Sequence, residues 1–153
     1  MEIVYSIIVL HQNMPDLLQR SLDSIPERDD VQVIVVDDNS DPAVVDFDHF
    51  PGMDRKDVEI VFDKQGRGLG NVRNVGLDHA KGKWVLFCDS DDFFAEDFPA
   101  ILDEMADAEE DLIFMSFILV PSLLVQGDVP VPDEEIGGNN RIDQKVICGC
   151  CSN

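Results

Sequence analysis

Three carboxylates within four positions close the stretch Trp84-Val85-Leu86-Phe87-Cys88-Asp89-Ser90-Asp91-Asp92. The apolar lead-in is the mark of a strand buried on both faces. In an extended backbone, Asp89 and Asp91 share one face and Asp92 takes the other. Carboxylates converging at a buried strand end repel one another unless a cation sits between them. Mg²⁺ and Mn²⁺ take oxygen ligands and share them with substrate phosphates, so the pattern points to a metal site rather than a solvated acidic turn. A second strand, Val31 to Val36, also runs into acids, Asp37-Asp38-Asn39-Ser40. On its own that quartet reads as a turn or helix cap.

Cations are scarce, and three of them flank one glycine-rich stretch, Asp63-Lys64-Gln65-Gly66-Arg67-Gly68-Leu69-Gly70-Asn71-Val72-Arg73. Glycines before a helix let backbone amides approach a phosphate, and Lys64, Arg67 and Arg73 add charge. The spacing is not the dinucleotide fingerprint, and it follows the third strand rather than the first.

The elements that must position these groups follow a strand–helix alternation. Tyr5 to Leu10 is a first strand. His11 follows it at the strand mouth and has two readings, in the first place an ordinary loop histidine and in the second a ligand-facing group. Pro15 opens a helix whose apolar face is Leu17, Leu18, Ser21, Leu22 and Ile25. Residues 41–57 are irregular, with a weak helical pattern near Val44 to Phe50. Val58 to Phe62 is a third strand, and Asn71 to Ala80 a helix closed by Lys81-Gly82 as a glycine C-cap. Glu96 to Glu109 is an amphipathic helix and Leu112 to Val120 a fifth strand. A strand–helix–strand crossover makes the first two strands parallel neighbours. Ligands on such sheets bind at the carboxyl ends of the strands, which sets Asp37 and Asp38 on the same rim as Asp89 and Asp91. The expected organisation is an α/β domain over residues 1–120, then an irregular tail or the start of a further half over 121–153, where glycines and prolines break up regular structure.

The net charge of −21, from 11 Lys plus Arg against 32 Asp plus Glu, argues against nucleic acid or an anionic membrane as partner. It also makes phosphate binding awkward without a metal. No apolar run is long enough to span a membrane, and the start lacks a signal peptide, so a cytoplasmic protein is expected. In a longer form it could sit against the inner face of the membrane. Cys88 packs as a small hydrophobe, and Cys148, Cys150 and Cys151 lack the paired spacing of a zinc site.

Taken as a set, these segments resemble the nucleotide-binding half of a family 2 glycosyltransferase. Ser6-Ile7-Ile8-Val9 with Asn13 resembles the family's opening strand and loop, and Val33 through Ser40 its strand-end acidic motif. Gly70 through Gly76, Lys81 through Phe87 and Asp89-Ser90-Asp91-Asp92 resemble its helix, strand and Asp-x-Asp metal motif. The match runs from about residue 5 to about residue 115 and is specific as a set. The resemblance implies an A-type glycosyltransferase fold: a three-layer α/β sandwich with a mainly parallel, Rossmann-like sheet. It implies a nucleoside-diphosphate-sugar donor, a UDP-sugar in the first place, and inverting, metal-dependent transfer to a hydroxyl of a carbohydrate or lipid-linked acceptor. Asp38 would bond the base with Asp37 nearby, Asp89 would approach ribose or sugar, and Arg73 would help with donor or phosphate. Asp91, with Asp92 beside it, would hold Mn²⁺ or Mg²⁺.

Two departures stand out. Leu10 and Gln12 occupy positions where the family usually has a proline and an aromatic for stacking on the base. No catalytic base is identifiable: Asp133, Glu134 and Glu135 are acids with nothing to place them opposite the donor. Donor binding with little or no transfer is therefore the expectation for this chain alone, and a non-catalytic nucleotide-sugar-binding module is the alternative. A phospho-accepting receiver domain fits less well, because its acidic pair ends the first strand. A nucleotidyltransferase of related fold would carry glycines after the first strand, where Leu10-His11-Gln12-Asn13 has none.

Overall fold

The computed structural model describes residues 2–66, 68–109 and 113. Four parallel strands form one sheet in the order β3-β2-β1-β4: β1 Tyr5–His11, β2 Val31–Asp38, β3 Val58–Asp63 and β4 Trp84–Asp89. The two central strands are buried along their whole length, which is why they read as unbroken apolar runs rather than alternating ones. Alternation sorts their side chains to the two faces. Tyr5, Ile7 and Val9 pack with Leu18 and Leu22 of α1 (Pro15–Asp23) and with Phe98 and Leu102 of α3 (Phe98–Met105). Ile8 and Leu10 pack on the other face with Val72 of α2 (Leu69–His79). Helices on both faces of a parallel sheet make three layers, as expected.

α3 is shorter than its periodicity suggests, and two contacts anchor it across the chain. The Tyr5 hydroxyl donates to the Leu102 carbonyl at 2.5 Å, and Arg28 reaches Asp103 at 2.7 Å while gripping Asp30. Residues 41–57 stay irregular apart from a 3-10 turn at Phe47–His49, covered by a ring cluster of Phe47, Phe50 and Phe62. The expected fifth strand at 112–120, the tail over 121–153 with its cysteines and acids, and Arg67 lie outside the described residues.

α2 starts two residues earlier than expected, and Gly82 does not cap it. Ala80 ends the helix in extended backbone. Gly82 is required for a different reason: a Cβ there would lie 2.6 Å from the Ser6 backbone nitrogen and 2.7 Å from the Tyr5 carbonyl carbon. The Gly82 N–H instead donates to Ser6 Oγ at 2.8 Å, docking the entry to β4 against β1. Because the obstacle is backbone, it cannot swing aside. Gly82→Ala should therefore lose about 2–3 kcal/mol in urea denaturation. Gly70→Ala, in a helical position with open space around it, should be neutral or stabilising by up to about 1 kcal/mol. Equal effects at the two sites would refute the close-approach argument.

Candidate functional site

Successive connections step outward from β1 to β2 to β3, and α2 then carries the chain back across to β4 on the other side of β1. The strand order therefore reverses between β1 and β4. In open parallel sheets the crevice at the carboxyl ends beside such a switch point takes the ligand. A cleft of about 210 Å³ lies there, lined by Leu10, His11, Gln12, Met14, Asp38, Leu69, Val72, Asp89, Ser90 and Asp91. The strand-end acids of β2 and β4 thus share one rim, as the parallel order requires.

The β4 acids converge more closely than extended alternation allows. β4 ends at Asp89, the chain turns over Ser90 and Asp91, and the Asp92 N–H donates to the Asp89 carbonyl at 3.0 Å. The turn swings Asp92 round to its neighbours, so the expectation that it faces away is wrong. One carboxylate oxygen from each of Asp89, Asp91 and Asp92 lies within 4.8 Å of the others. At about 4 Å a like-charge pair costs about 1 kcal/mol in water and several-fold more near a protein surface. An all-oxygen set of this kind suits a hard divalent ion such as Mg²⁺ or Mn²⁺.

The turn is fixed from several sides. The Ser90 N–H donates to the Leu10 carbonyl at 2.9 Å, extending the β1–β4 ladder. Arg20 of α1 donates to the Asp91 carbonyl at 2.5 Å, and the Phe94 N–H donates to Ser24 Oγ at 2.9 Å. Arg73 of α2 stands 3.9 Å from Asp89, with both side chains about half exposed. It brings a cation beside Asp89 at the cleft edge.

Asp37 and Asp38 are neighbours with opposite environments. Asp37 points into the protein. Its Oδ1 accepts from His11 Nδ1 at 2.8 Å and from Ser40 Oγ at 2.5 Å, and its Oδ2 accepts the Ser40 N–H at 3.0 Å. Burial pushes its pKa up, but the hydrogen bonds from His11 and Ser40 together outweigh that and hold it below the usual carboxylate range. The Met14 N–H donates to His11 Nε2 at 3.1 Å, which leaves Nδ1 as the ring nitrogen that donates to Asp37. His11 is thus no ordinary loop residue: it is the last residue of β1, buried, and pairs with Asp37 across the β1–β2 register. Asn13 and Gln12 complete the lock, the first through Ser40 Oγ at 2.8 Å and the second through the Asp38 carbonyl at 2.8 Å.

Asp38, fixed by this lock, lines the cleft, and its buried Oδ1 has no hydrogen-bond partner among the described residues. Burial raises its pKa, and the charges of Asp63 and Asp37 raise it further. Asp63, its register partner at the end of β3, is held by the Gln65 N–H at 3.1 Å and Asn71 Nδ2 at 2.7 Å. A buried carboxylate oxygen left unsatisfied is costly, and one that opens on a cleft is free to accept from a donor there. In the sequence His11 reads first as a loop residue, and Arg20 and Asp63 are not visible as site residues. Lone residues of these types carry no motif, and their roles depend on partners 26, 71 and 8 positions away.

An open parallel sheet with helices on both faces and acids at its switch point defines an α/β domain with a cleft at its carboxyl edge, and its relatives narrow the class. The profile described as "Glycosyl transferase family 2" matches residues 6–141. EpsH of Bacillus subtilis is 30% identical over 115 residues, covering 73% of this chain and 33% of that protein. The glycosyltransferase GlyA of Streptococcus pneumoniae is 32% identical over 96 residues, 61% of this chain and 14% of that one. Among solved structures, residues 1–349 of TarS from S. aureus superpose with a TM-score of 0.59 at 26% identity, covering 84% of this chain and 39% of that one. The same protein in complex with UDP-GlcNAc superposes with a TM-score of 0.58 at 27% identity, covering 84% and 37%. This chain belongs to family 2 of the glycosyl transferases, and its fold is the A-type glycosyltransferase fold. It spans about a third of the length of EpsH and a smaller part of GlyA. Among the described residues, no helix is long and apolar enough to cross a membrane.

Proposed function

We propose that this chain binds a nucleoside-diphosphate-sugar donor, with uracil as base, for metal-dependent, inverting transfer of the sugar to an acceptor hydroxyl. One observation carries this: an unpartnered buried acceptor, Asp38, lines the same cleft at the sheet's switch point as Asp89 and Asp91, two of the three converging carboxylates. A base N–H satisfies Asp38. Asp37 contributes from behind, holding the loop through His11 and Ser40. Met14 and Leu69, both large apolar residues left exposed at the cleft, flank the base in place of an aromatic stack. Asp89 and Arg73 lie toward ribose and sugar. Asp91 and Asp92 hold Mn²⁺ or Mg²⁺, which would supply the positive charge that a chain of net charge −21 lacks and relieve the charge developing on the leaving nucleoside diphosphate. The UDP-GlcNAc complex of TarS, at 27% identity, supports uridine.

A thermal-shift panel of UDP, GDP, TDP and their sugars, with and without Mn²⁺, tests the proposal. Ligand at 100 times Kd adds about 2.7 kcal/mol to the folded state, a rise in Tm of about 5–10 °C for a domain of this size. The largest shift is expected for uridine nucleotides with Mn²⁺. No shift with any nucleotide would overturn the reading. Binding without any turnover would favour the donor-binding module over the enzyme.

A further inference from the structure

Arg20 sits on α1, 71 residues before the acidic turn, yet it bonds directly to that turn. Its Nη2 donates to the backbone carbonyl of Asp91 at 2.5 Å, and its guanidinium carbon lies 4.8 Å above the ring of Phe93. The arrangement is not a simple ion pair, because the guanidinium meets the backbone of an acidic residue rather than its carboxylate. Its Nε is buried without a hydrogen-bond partner among the described residues. A buried unsatisfied N–H works against folding, so stability alone does not explain holding Arg20 here.

The geometry suggests a purpose. A turn carrying Asp89, Asp91 and Asp92 within 4.8 Å of one another tends to open by mutual repulsion. Opening would rotate the Asp91 peptide, and that is the group Arg20 holds. Phe93, one residue beyond the trio, stacks on the same guanidinium, so both ends of the Asp91–Phe93 segment are tied to one side chain. Ser24, the C-cap of α1, takes the Phe94 N–H and keeps the segment in register.

We infer that Arg20 is a positioning residue, which clamps the Asp91–Phe93 segment on α1 so that the three carboxylates stay preassembled for a divalent cation. Its role rests on the metal site proposed above. Clamping the backbone leaves both Asp91 carboxylate oxygens available to the ion, which a side-chain salt bridge would not. It also accounts for an arginine at this point: the planar fork can donate in one direction while its face lies on an aromatic ring, which an ammonium cannot do as well.

The test is Mn²⁺ binding to the full chain, read from the loss of the free-ion electron paramagnetic resonance signal. Wild type is compared with Arg20→Leu, Arg20→Gln and Arg20→Lys, with uridine binding in the absence of metal and Tm measured alongside. Arg20→Leu is expected to weaken Mn²⁺ binding about tenfold or more, in the range typical of a lost outer partner, while metal-free uridine binding holds. Arg20→Lys, which restores a donor and a charge, should recover part of that loss. Unchanged or tighter Mn²⁺ binding in folded Arg20→Leu would overturn the inference, since tighter binding would mean that Arg20 acts only by repelling the ion. Parallel losses of Mn²⁺ and uridine binding would overturn it too, as the mark of general collapse. Should Arg20→Leu fail to fold, Arg20→Gln decides on the same outcomes. A wild-type chain that binds no Mn²⁺ at all would sink the proposed metal site itself, a result distinct from a variant that binds as well as wild type.

Discussion

Asp91→Ala is expected to abolish the Mn²⁺-dependent part of the nucleotide-induced thermal shift while leaving the metal-free protein as stable as wild type, or slightly more so. The two halves of this expectation have one origin. Asp89, Asp91 and Asp92 place carboxylate oxygens within 4.8 Å of one another, a standing repulsion in the absence of a cation. Removing one of three relieves that repulsion in the metal-free state and deletes a ligand in the bound state. Losing a partner outside the ligand set costs about 10–100-fold in metal affinity, so losing a ligand should cost about 100-fold or more. The opposite signs are the diagnostic. A residue that mattered only to folding would lower the metal-free Tm, and a surface acid of no consequence would change neither quantity. Melting with a chelator, and then with Mn²⁺ and UDP, separates the cases. An undiminished metal-dependent shift would remove Asp91 from the site.

Much of this cleft is legible in the sequence because its parts are strand ends. A short run such as Val33 to Val36, β-branched throughout, reads as a strand buried on both faces, and the acids that stop such a run stand on a rim. Parallel order then puts the rims together, and Asp38 and Asp91 do line one cleft. What escaped detection was set by contacts rather than by pattern. Strand alternation sent Asp92 to the wrong face because a tight turn, closed by its own N–H on the Asp89 carbonyl, replaces the strand at Ser90. Asp37 and Asp38 are indistinguishable as letters, yet one is saturated by His11 and Ser40 and the other is left open to the cleft. Gly82 looked like a helix cap because glycine after a helix usually is one. Only the β1 backbone 2.6 Å from its absent Cβ reveals the real constraint.

That difference between Asp37 and Asp38 leads to the second large effect. Asp38→Asn should make the protein more stable at neutral pH and a weaker binder of uridine nucleotides. Burial, then the nearby charges of Asp63 and Asp37, raises the Asp38 pKa in the folded state. A raised acid favours folding below its unfolded pKa, and that contribution is lost as pH climbs through the folded value. At neutral pH the folded protein therefore carries the full penalty of a buried, unpartnered carboxylate, on the order of 1 kcal/mol, and the neutral amide removes the charged part of it. Binding runs the other way. A base N–H pairs best with the ionised carboxylate, and exchanging that charge-assisted bond for a neutral one costs about tenfold in affinity. Proton and ligand thus compete for the same oxygen atoms. In the wild type, uridine affinity should decline as pH falls through the raised Asp38 pKa, at a higher pH than an ordinary aspartate would give. In Asp38→Asn that decline should vanish, leaving weak binding that is flat with pH across the same range. Calorimetric titration of both proteins from neutral pH down to the edge of acid unfolding measures this directly. A pH dependence that survives in Asp38→Asn would assign it to another group and take Asp38 out of base recognition.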